Sequence, residues 1–331
     1  MFIPVATVFV ITWLAYFFSL RLFRRIGLID SPGRYGLSRP PIPYPTGIVA
    51  ILVFIFSFLF FFRIGIKESG LILAVTIIGI VSFVDDLSPL PAWIRLTMQI
   101  GTGFLVFATG SQIYTITNPF GGVIPLDTVN FSFGPLGPLP LLSGIFTIGW
   151  LLFTINALNW LDGVSGQVSI VSTIGFVLLG CLALLRNGEP EIALMAFTLA
   201  AIAGAGAFFD FPPSKMLIGD TGSMFFGLML GLLGIYHGGK VATVFLALGL
   251  PLIDAIIVTL RRISSGHSPL RGGEDHLHHR LKKKGWSPRL IVFVTAFIGL
   301  VFGSAALFVD TKEKVMLGMV LFVLVLGLRK L

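Results

Sequence analysis

The sequence predicts an all-α polytopic membrane protein. Of its 331 residues, 55% are hydrophobic and only 11% are charged, whereas an ordinary soluble domain is about 25% charged. Apolar segments that approach the ~20 residues needed to cross a bilayer recur along the whole chain. A soluble fold of this size with so few charges could not cover its apolar surface. Soluble globular, disordered and disulfide-rich secreted proteins are therefore excluded.

Eleven candidate spans are found, and residues 1–331 are treated as one integral membrane domain. The spans lie near 2–20, 46–62, 70–84, 92–110, 140–158, 166–185, 191–208, 222–236, 241–260, 289–308 and 314–328. The first is interpreted as a retained anchor, because Met1 is followed by no basic region and no small-residue cleavage site. Residues 111–139 alternate polar and apolar side chains around Gly121 and Gly122, which predicts a β-hairpin on the periplasmic side of the bilayer.

The distribution of Lys and Arg predicts the orientation. Arg21, Arg24 and Arg25 follow the first span, so the N-terminus is expected outside and, with eleven spans, the C-terminus inside. This topology puts 17 of the 23 basic residues inside and 6 outside. The largest basic block, in the inside loop 261–289, is explained equally well by binding to anionic lipid or to substrate. The net charge of +8 is therefore a topology signal, and no nucleic-acid partner is expected.

Several candidate chemical groups lie on the predicted cytoplasmic face. Asp85 and Asp86 are adjacent carboxylates at a helix C-terminus, where the helix dipole disfavours negative charge. A bound cation or a general-base role would account for them, and a solvated helix end is the alternative. Asn159 and Asp162 share a helix face, where they either offer two oxygen ligands to a hard cation such as Mg²⁺ or cap the helix before Gly163.

Two further groups complete this face. Asp220 stands in G-D-T-G-S at the start of the eighth span, either as an N-cap or as a link, through Mg²⁺, to a phosphate at the helix N-terminus. His276, His278 and His279 lack the zinc-protease pattern and stand beside Arg280, so phosphate oxygens are their expected ligands, with a surface cluster as the alternative. Together the groups predict a Mg²⁺-assisted membrane phosphotransferase that acts on a pyrophosphate substrate at the cytoplasmic face.

In order and spacing, the chain resembles the polyprenyl-phosphate N-acetylhexosaminyl-1-phosphate transferase superfamily at four motifs: SFVDDL, NALNWLDG, KMLIGDTGS and DHLHHRL. The H-x-H-H-R pattern is closest to the WecA/TagO type. The resemblance implies transfer of a sugar 1-phosphate, with GlcNAc-1-phosphate expected, from a UDP-sugar to undecaprenyl phosphate. It also implies release of UMP, a need for Mg²⁺ or Mn²⁺, and the start of a lipid-linked cell-envelope glycan.

The resemblance also implies roles for individual residues. The implied catalytic residues are Asp85, Asp86, His276, His278 and His279. The implied metal ligands are Asp220 and Asn159, and the implied substrate-binding residues are Asp162, Ser165, Lys215, Leu217 and Arg280. One of the paired acids, Asp85 or Asp86, would be the base that deprotonates or orients the lipid phosphate. Lys215 and Arg280 would take up substrate charge.

Two positions depart from the family pattern, and both concern the nucleobase. Ser165 stands where the family usually has an Asp or Asn that helps to bind uracil. Leu217 stands where a Phe that stacks on uracil is common. Neither change touches the phosphate chemistry, so the resemblance implies the same reaction with loosened discrimination of the base.

Three other functions compete with this hypothesis. A phospho-MurNAc-pentapeptide transferase would use the same chemistry on another donor. A transporter or lipid scramblase would instead place polar groups inside the spans, where Asp254 is the only carboxylate. An inactive relative that binds lipid-linked sugars is the third. The expected location is the inner (plasma) membrane, with the active site on the cytoplasmic face, and a homodimer is left open.

Overall fold

The computed structural model describes residues 1–35, 39–118, 121–132, 138–236, 241–268, 273 and 275–330. Within these ranges the chain is mainly helical. The helices are α1 (Phe2–Arg25), α2 (Gly47–Phe61), α3 (Ile66–Leu87), α4 (Ala92–Ala108), α5 (Leu141–Leu161), α6 (Gln167–Leu182), α7 (Pro190–Asp210), α8 (Gly219–Tyr236), α9 (Val241–Ala247), α10 (Gly249–Ser264), α11 (Leu277–Lys283), α12 (Pro288–Phe308) and α13 (Thr311–Lys330). A π-helical segment, Ala183–Asn187, extends α6.

Six of the described helices are long and apolar enough to cross a membrane: α1, α3, α5, α6 with its extension, α7 and α12. The pair α9 and α10 makes a seventh if it is counted as one broken span. The apolar helices α2 and α4 are shorter, and α13 begins with Lys312, Glu313 and Lys314. The chain is therefore a multi-pass membrane protein by length and composition, while the count of eleven spans stays a prediction.

The predicted single span near 241–260 is a bent pair of helices. The axes of α9 and α10 differ by 92° across the break at Leu248. Gly249 and Pro251 follow this break directly, and such residues are common where helices break. Hydropathy alone did not predict the change of direction, because both halves are apolar.

Helix α8 forms the centre of the bundle. All of its residues except Asp220 and Tyr236 are buried. Glycines allow the neighbouring backbones to approach closely, as is common between membrane helices. A Cβ at Gly47 of α2 would lie 2.2 Å from the backbone nitrogen of Gly222, and one at Gly227 would lie 2.7 Å from Cα of Ile155 in α5. These contacts hold α8 against α2 and α5.

The segment predicted as one β-hairpin contains two short strand pairs instead. In the described residues, β1 (Thr115–Thr117) pairs antiparallel with β2 (Val123–Pro125), with Ile116 opposite Ile124. Likewise β3 (Asn130–Ser132) pairs with β4 (Pro138–Pro140). The alternation of side chains predicted the extended structure correctly, but it did not indicate whether the strands form one pair or two. The position of this segment relative to the membrane stays a prediction.

Candidate active site

The carboxylate of Asp86 caps the N-terminus of α8. Its Oδ1 accepts hydrogen bonds from the Asp220 backbone N–H at 2.9 Å and from the Tyr44 hydroxyl at 2.6 Å. Its Oδ2 accepts from Thr221, through the backbone N–H at 2.9 Å and the side-chain hydroxyl at 2.6 Å. A helix N-terminus leaves N–H groups without partners and favours negative charge. The sequence left Asp220 as the possible N-cap, whereas the structure gives that role to Asp86, from another helix.

Arg95 lies between two other carboxylates of the cluster. Its guanidinium nitrogen Nη1 is 3.3 Å from Asp85 and 3.6 Å from Asp220. Asp85 is buried, and its second oxygen accepts from the Leu90 backbone N–H at 2.6 Å. Asp85 is thus a fixed, paired carboxylate, so its interpretation as a solvated helix end is wrong. The side chain of Asp220 remains 30% exposed, which leaves it open to a ligand.

Asn159 and Asp162, at the end of α5, face the same cluster. The side-chain amide of Asn159 donates to Ser223 Oγ at 3.2 Å and lies within hydrogen-bonding reach of the Asp220 side chain. Burial raises the pKa of Asp162 well above its ordinary value, and the negative charges of Asp210, Asp220 and Asp86 act in the same direction. Surplus negative charge at this point would be stabilised by a cation.

The loop between α1 and α2 is tied to the segment that precedes α8. The Leu217 N–H donates to the Pro43 carbonyl at 3.0 Å, and the Thr46 N–H donates to the Leu217 carbonyl at 2.9 Å. This pairing brings the ring of Tyr44 against Gly219, where a Cβ would lie 2.9 Å from Tyr44 Cε2. Burial and the adjacent Asp86 raise the pKa of Tyr44, so its hydroxyl stays a hydrogen-bond donor.

The histidine motif lies against the other side of the loop that follows α5. His276 and His278 are buried, so their interpretation as a surface cluster is wrong. A Cβ at Gly163 would lie 1.9 Å from His278 Nε2, and the ring centroid of His276 is 5.5 Å from that of Trp160. The His278 and His279 centroids are 4.2 Å apart. The motif therefore adjoins the segment that carries Asn159 and Asp162.

The ring of His276 also contacts a carboxylate of α10. Its Nδ1 is 2.9 Å from Asp254 Oδ2, and Asp254 also forms an ion pair with Arg329 of α13. The carboxylate that the sequence noted as the only one inside a span thus belongs to the histidine cluster. Burial lowers the pKa of His278 to about 2, and the charges of its neighbours act in the same direction. His278 is therefore neutral at physiological pH.

The remaining predicted residues lie around this centre. Ser165 is half-buried, and its Oγ accepts from Ser214 Oγ at 3.2 Å. Leu217 and Arg280 are half-buried, while Lys215 is exposed. Asp85 and Asp220 share Arg95 as a partner, and Asp86 accepts from the Asp220 backbone N–H. In the part of the chain that the structure describes, the side chains of Lys215 and Arg280 form no hydrogen bond with that cluster.

The cluster offers few ligands of its own to a hard cation. In the described part of the chain, no three His, Cys, Asp or Glu side chains lie close enough together to enclose a metal ion. Mg²⁺ does not require such a cage, because it is usually held by one or two carboxylates together with water and substrate phosphates. Asp220, which is partly exposed, and the amide oxygen of Asn159 fit that kind of site.

Sequence reasoning missed four residues that shape the site: Tyr44, Arg95, Thr221 and Arg329. Arg95 stands early in an apolar helix, and a lone cation near a helix end is ordinarily an interfacial anchor. Tyr44 lies in a proline-rich loop that gives no periodic signal. The one available signal for Thr221 was its place in the first turn of α8, where capping partners are expected.

The sequence is similar to known proteins along most of its length. Residues 69–238 match the sequence profile of glycosyl transferase family 4. The chain is 27% identical over 316 residues to a probable undecaprenyl-phosphate N-acetylglucosaminyl 1-phosphate transferase of Bacillus subtilis, covering 92% of this chain and 84% of that protein. It is 26% identical over 302 residues to the undecaprenyl-phosphate α-N-acetylglucosaminyl 1-phosphate transferase of Escherichia coli K12, covering 86% and 77%. A decaprenyl-phosphate N-acetylglucosaminephosphotransferase of Mycolicibacterium smegmatis is 27% identical over 303 residues, covering 82% and 66%.

Proposed function

The chain belongs to glycosyl transferase family 4, and on this premise we propose that it transfers GlcNAc 1-phosphate from UDP-GlcNAc to undecaprenyl phosphate and releases UMP. The observation that carries the proposal is the cluster of Asp85, Asp86, Asp162 and Asp220 around the first turn of α8. Relatives along most of the chain carry names for the corresponding transfer to undecaprenyl or decaprenyl phosphate. The product would begin a lipid-linked cell-envelope glycan.

The reaction is a phosphoryl transfer. An oxygen of the lipid phosphate attacks the β-phosphorus of the UDP-sugar, the bond from that phosphorus to the bridging oxygen breaks, and UMP leaves with the electron pair. Such reactions need little covalent chemistry from the protein beyond positioning and charge neutralisation. The acceptor phosphate is already largely ionised at neutral pH. Direct attack without a covalent intermediate is therefore the simpler path.

The paired acids are assigned different roles. Asp86 accepts four hydrogen bonds with its two oxygens, so we assign it to holding the first turn of α8 rather than to proton transfer. Asp85 lies beside Arg95 and is the better candidate to orient the lipid phosphate. Arg95 also reaches Asp220, so it holds the two carboxylates close to each other.

Asp220 and Asn159 are the proposed ligands of Mg²⁺ or Mn²⁺. When bound, the cation would neutralise charge on the pyrophosphate oxygens. The Ser223 hydroxyl fixes the amide of Asn159, leaving its oxygen for a ligand. His276 and His279 would contact phosphate oxygens from the other side of the α5–α6 loop, and Lys215 and Arg280 would take up the remaining charge.

The proposed location is the plasma membrane, with this site on the cytoplasmic face. The clustered residues lie at the end of α3, the start of α4, the end of α5 and the start of α8. Because successive spans run in opposite directions, these four helix ends can all lie at one face of the bundle. Cysteine labelling in intact cells tests the topology, after Cys181→Ser removes the native cysteine. Lys215→Cys should be protected from an impermeant reagent, and Asp127→Cys should react. Reversed labelling would contradict the topology.

The proposed activity is tested with the purified, reconstituted protein, undecaprenyl phosphate and a panel of radiolabelled UDP-sugars that includes UDP-MurNAc-pentapeptide. We expect a lipid-linked GlcNAc product and an equal amount of UMP with Mg²⁺, and neither with EDTA. Preference for the pentapeptide donor would support the alternative transferase. Movement of the lipid across vesicles with no chemical product would support the transporter or scramblase.

A further inference from the structure

Beneath the histidine motif, Asp254 in α10 joins three parts of the chain. Its carboxylate lies 2.9 Å from His276 Nδ1 and accepts the Leu277 backbone N–H at 3.1 Å with both oxygens. Its Oδ1 also pairs with the guanidinium of Arg329. The side chains of Asp254 and Arg329 are only 7% and 6% exposed. A carboxylate buried to this degree is stable only when it is fully paired, and here one of its partners is a residue of the motif.

We propose that Asp254, held in place by Arg329, is a positioning residue that fixes the ring of His276 so that its Nε2 serves the transferred phosphate group. This inference rests on the proposed function. It adds a residue outside the matched family segment and outside the four motifs. No local sequence pattern indicates this contact, because Asp254 and His276 are 22 positions apart.

The orientation of the ring follows from the hydrogen bonds. A carboxylate can only accept, so Nδ1 of His276 must carry the proton that it shares with Asp254. An ionised phosphate oxygen also only accepts, so Nε2 must reach it as an N–H donor while Nδ1–H faces Asp254. The ring held in this way presents one defined nitrogen to the phosphate, whereas an unsupported ring could adopt either tautomer and turn either nitrogen toward it.

Arg329 holds the same loop at a second point. Its Nη1 pairs with Asp254, while its Nη2 donates to the Asp275 backbone carbonyl at 3.0 Å. The residue directly before His276 and the residue directly after it, Leu277, are therefore both tied to this buried pair. The end of α13 thereby fixes the position from which α11 begins.

A set of neutral, nearly isosteric variants separates positioning from simple anchoring. Asp254→Asn keeps the shape but removes the charge that selects the tautomer, and Arg329→Gln removes the opposite charge. The double variant Asp254→Asn/Arg329→Gln restores charge balance without restoring the carboxylate on His276. Asp127→Asn, the same change at an exposed carboxylate, is the matched control.

The assay measures kcat, the KM for UDP-GlcNAc and the melting temperature of each variant. We expect Asp254→Asn to lower kcat by about 10- to 100-fold, as is typical when a supporting carboxylate is lost, with KM nearly unchanged. The double variant should regain melting temperature but not kcat. An Asp254→Asn variant with wild-type kcat, or a double variant that regains both properties, would overturn the proposal.

Backbone hydrogen exchange of residues 275–283 gives a readout that does not depend on activity. We expect exchange at Leu277 to accelerate at least tenfold in Asp254→Ala and to stay near the wild-type rate in Asp127→Ala. Unchanged exchange in Asp254→Ala would overturn the positioning role even if turnover falls. Wild-type protein that forms no lipid-linked product would instead contradict the proposed function, and the exchange result would still decide whether Asp254 holds the loop.

Discussion

Thr221 donates two hydrogen bonds to one carboxylate oxygen of Asp86, through its backbone N–H at 2.9 Å and its hydroxyl at 2.6 Å. The two residues lie 135 positions apart, on helices that meet at the same end of the bundle. The C-terminal turn of α3 thus supplies the negative charge that the N-terminal turn of α8 favours. Alone, the end of α3 would carry a carboxylate that its helix dipole disfavours, and the start of α8 would leave N–H groups without acceptors. Together they hold Asp220 beside Arg95.

Removing this cap should destabilise the protein. Asp86→Ala leaves the Tyr44 hydroxyl, two backbone N–H groups and the Thr221 hydroxyl without their acceptor. We expect a loss of about 1–3 kcal/mol in the free energy of unfolding, seen as a lower melting temperature in detergent. Asp86→Asn should lose less, because its amide oxygen can still accept. Asp127→Ala is the control, and an unchanged melting temperature in Asp86→Ala would contradict the capping role.

Tyr44 should act on the site through Asp86. Tyr44→Phe removes one donor at 2.6 Å from the carboxylate and keeps the ring against Gly219. We expect a small fall in melting temperature and a fall in kcat, with the larger effect on kcat if the cap positions Asp220. Tyr114→Phe, at an exposed tyrosine, should change neither quantity. Equal behaviour of the two variants would show that the Tyr44 hydroxyl is dispensable.

The sequence singled out residues that lie near one another in the structure, but it did not predict their contacts. Hydropathy predicted most of the helices, and residue chemistry together with the motif resemblance drew attention to Asp85, Asp86, Asp220 and the histidines, whose roles stay predictions. It could not predict which of two adjacent acids would cap α8, because that depends on the rotation of α3 against a helix 135 positions away. The charge of Asp254 was noticed, but its partner Arg329 was not.

For the fold, too, the sequence indicated which segments are apolar or extended, but not how those segments bend or pair. The apolar pattern at 241–260 fits a straight span and a bent pair equally well, so the 92° bend was not predicted. The alternation in 111–139 does indicate extended chain, yet two separate strand pairs satisfy it as well as one hairpin does. Such features depend on tertiary contacts, whereas a hydrophobic count reports only burial.

Asp220 should be essential for turnover. Asp220→Asn keeps the size of the side chain but removes the negative charge proposed to bind the cation. We expect kcat to fall by several orders of magnitude with little change in melting temperature, because the loss concerns a charge-dense transition state. A Mg²⁺ titration of product formation measures the effect. Wild-type kcat at saturating Mg²⁺ would show that Asp220 is not a ligand.

Acid should destabilise the protein through His278. Burial lowers its pKa to about 2, whereas an unfolded histidine titrates near pH ~6.5. Between these values the unfolded state binds a proton that the folded state excludes. The contribution to stability is therefore complete above about pH 6.5 and falls at lower pH, by up to about 1.4 kcal/mol per pH unit. His278→Gln should flatten the decline in melting temperature on acidification, and His267→Gln, at an exposed histidine, should not.

The two positions that the motif resemblance assigns to nucleobase binding, Ser165 and Leu217, are those at which this chain departs from the family pattern. Ser165 already accepts a hydrogen bond from Ser214 at 3.2 Å. The Leu217 N–H donates to Pro43 and the Leu217 carbonyl accepts from Thr46. The backbone that would carry a larger side chain at this position is therefore held in place. Because these hydrogen bonds involve only the backbone of Leu217, a change of its side chain leaves them in place.

The double variant Ser165→Asp/Leu217→Phe should lower the KM for UDP-GlcNAc while barely changing kcat. An added aromatic contact contributes about 0.5–1.5 kcal/mol, which corresponds to a decrease of about 2- to 13-fold. The new carboxylate would stand close to Asp162, whose surroundings are already negative. Ser165→Asn/Leu217→Phe therefore serves as the neutral control, because it offers a hydrogen bond to the base without the charge. If both double variants lose activity, or if the wild-type protein prefers another nucleotide, the base is bound elsewhere in the cleft and Ser165 and Leu217 have no part in selecting it.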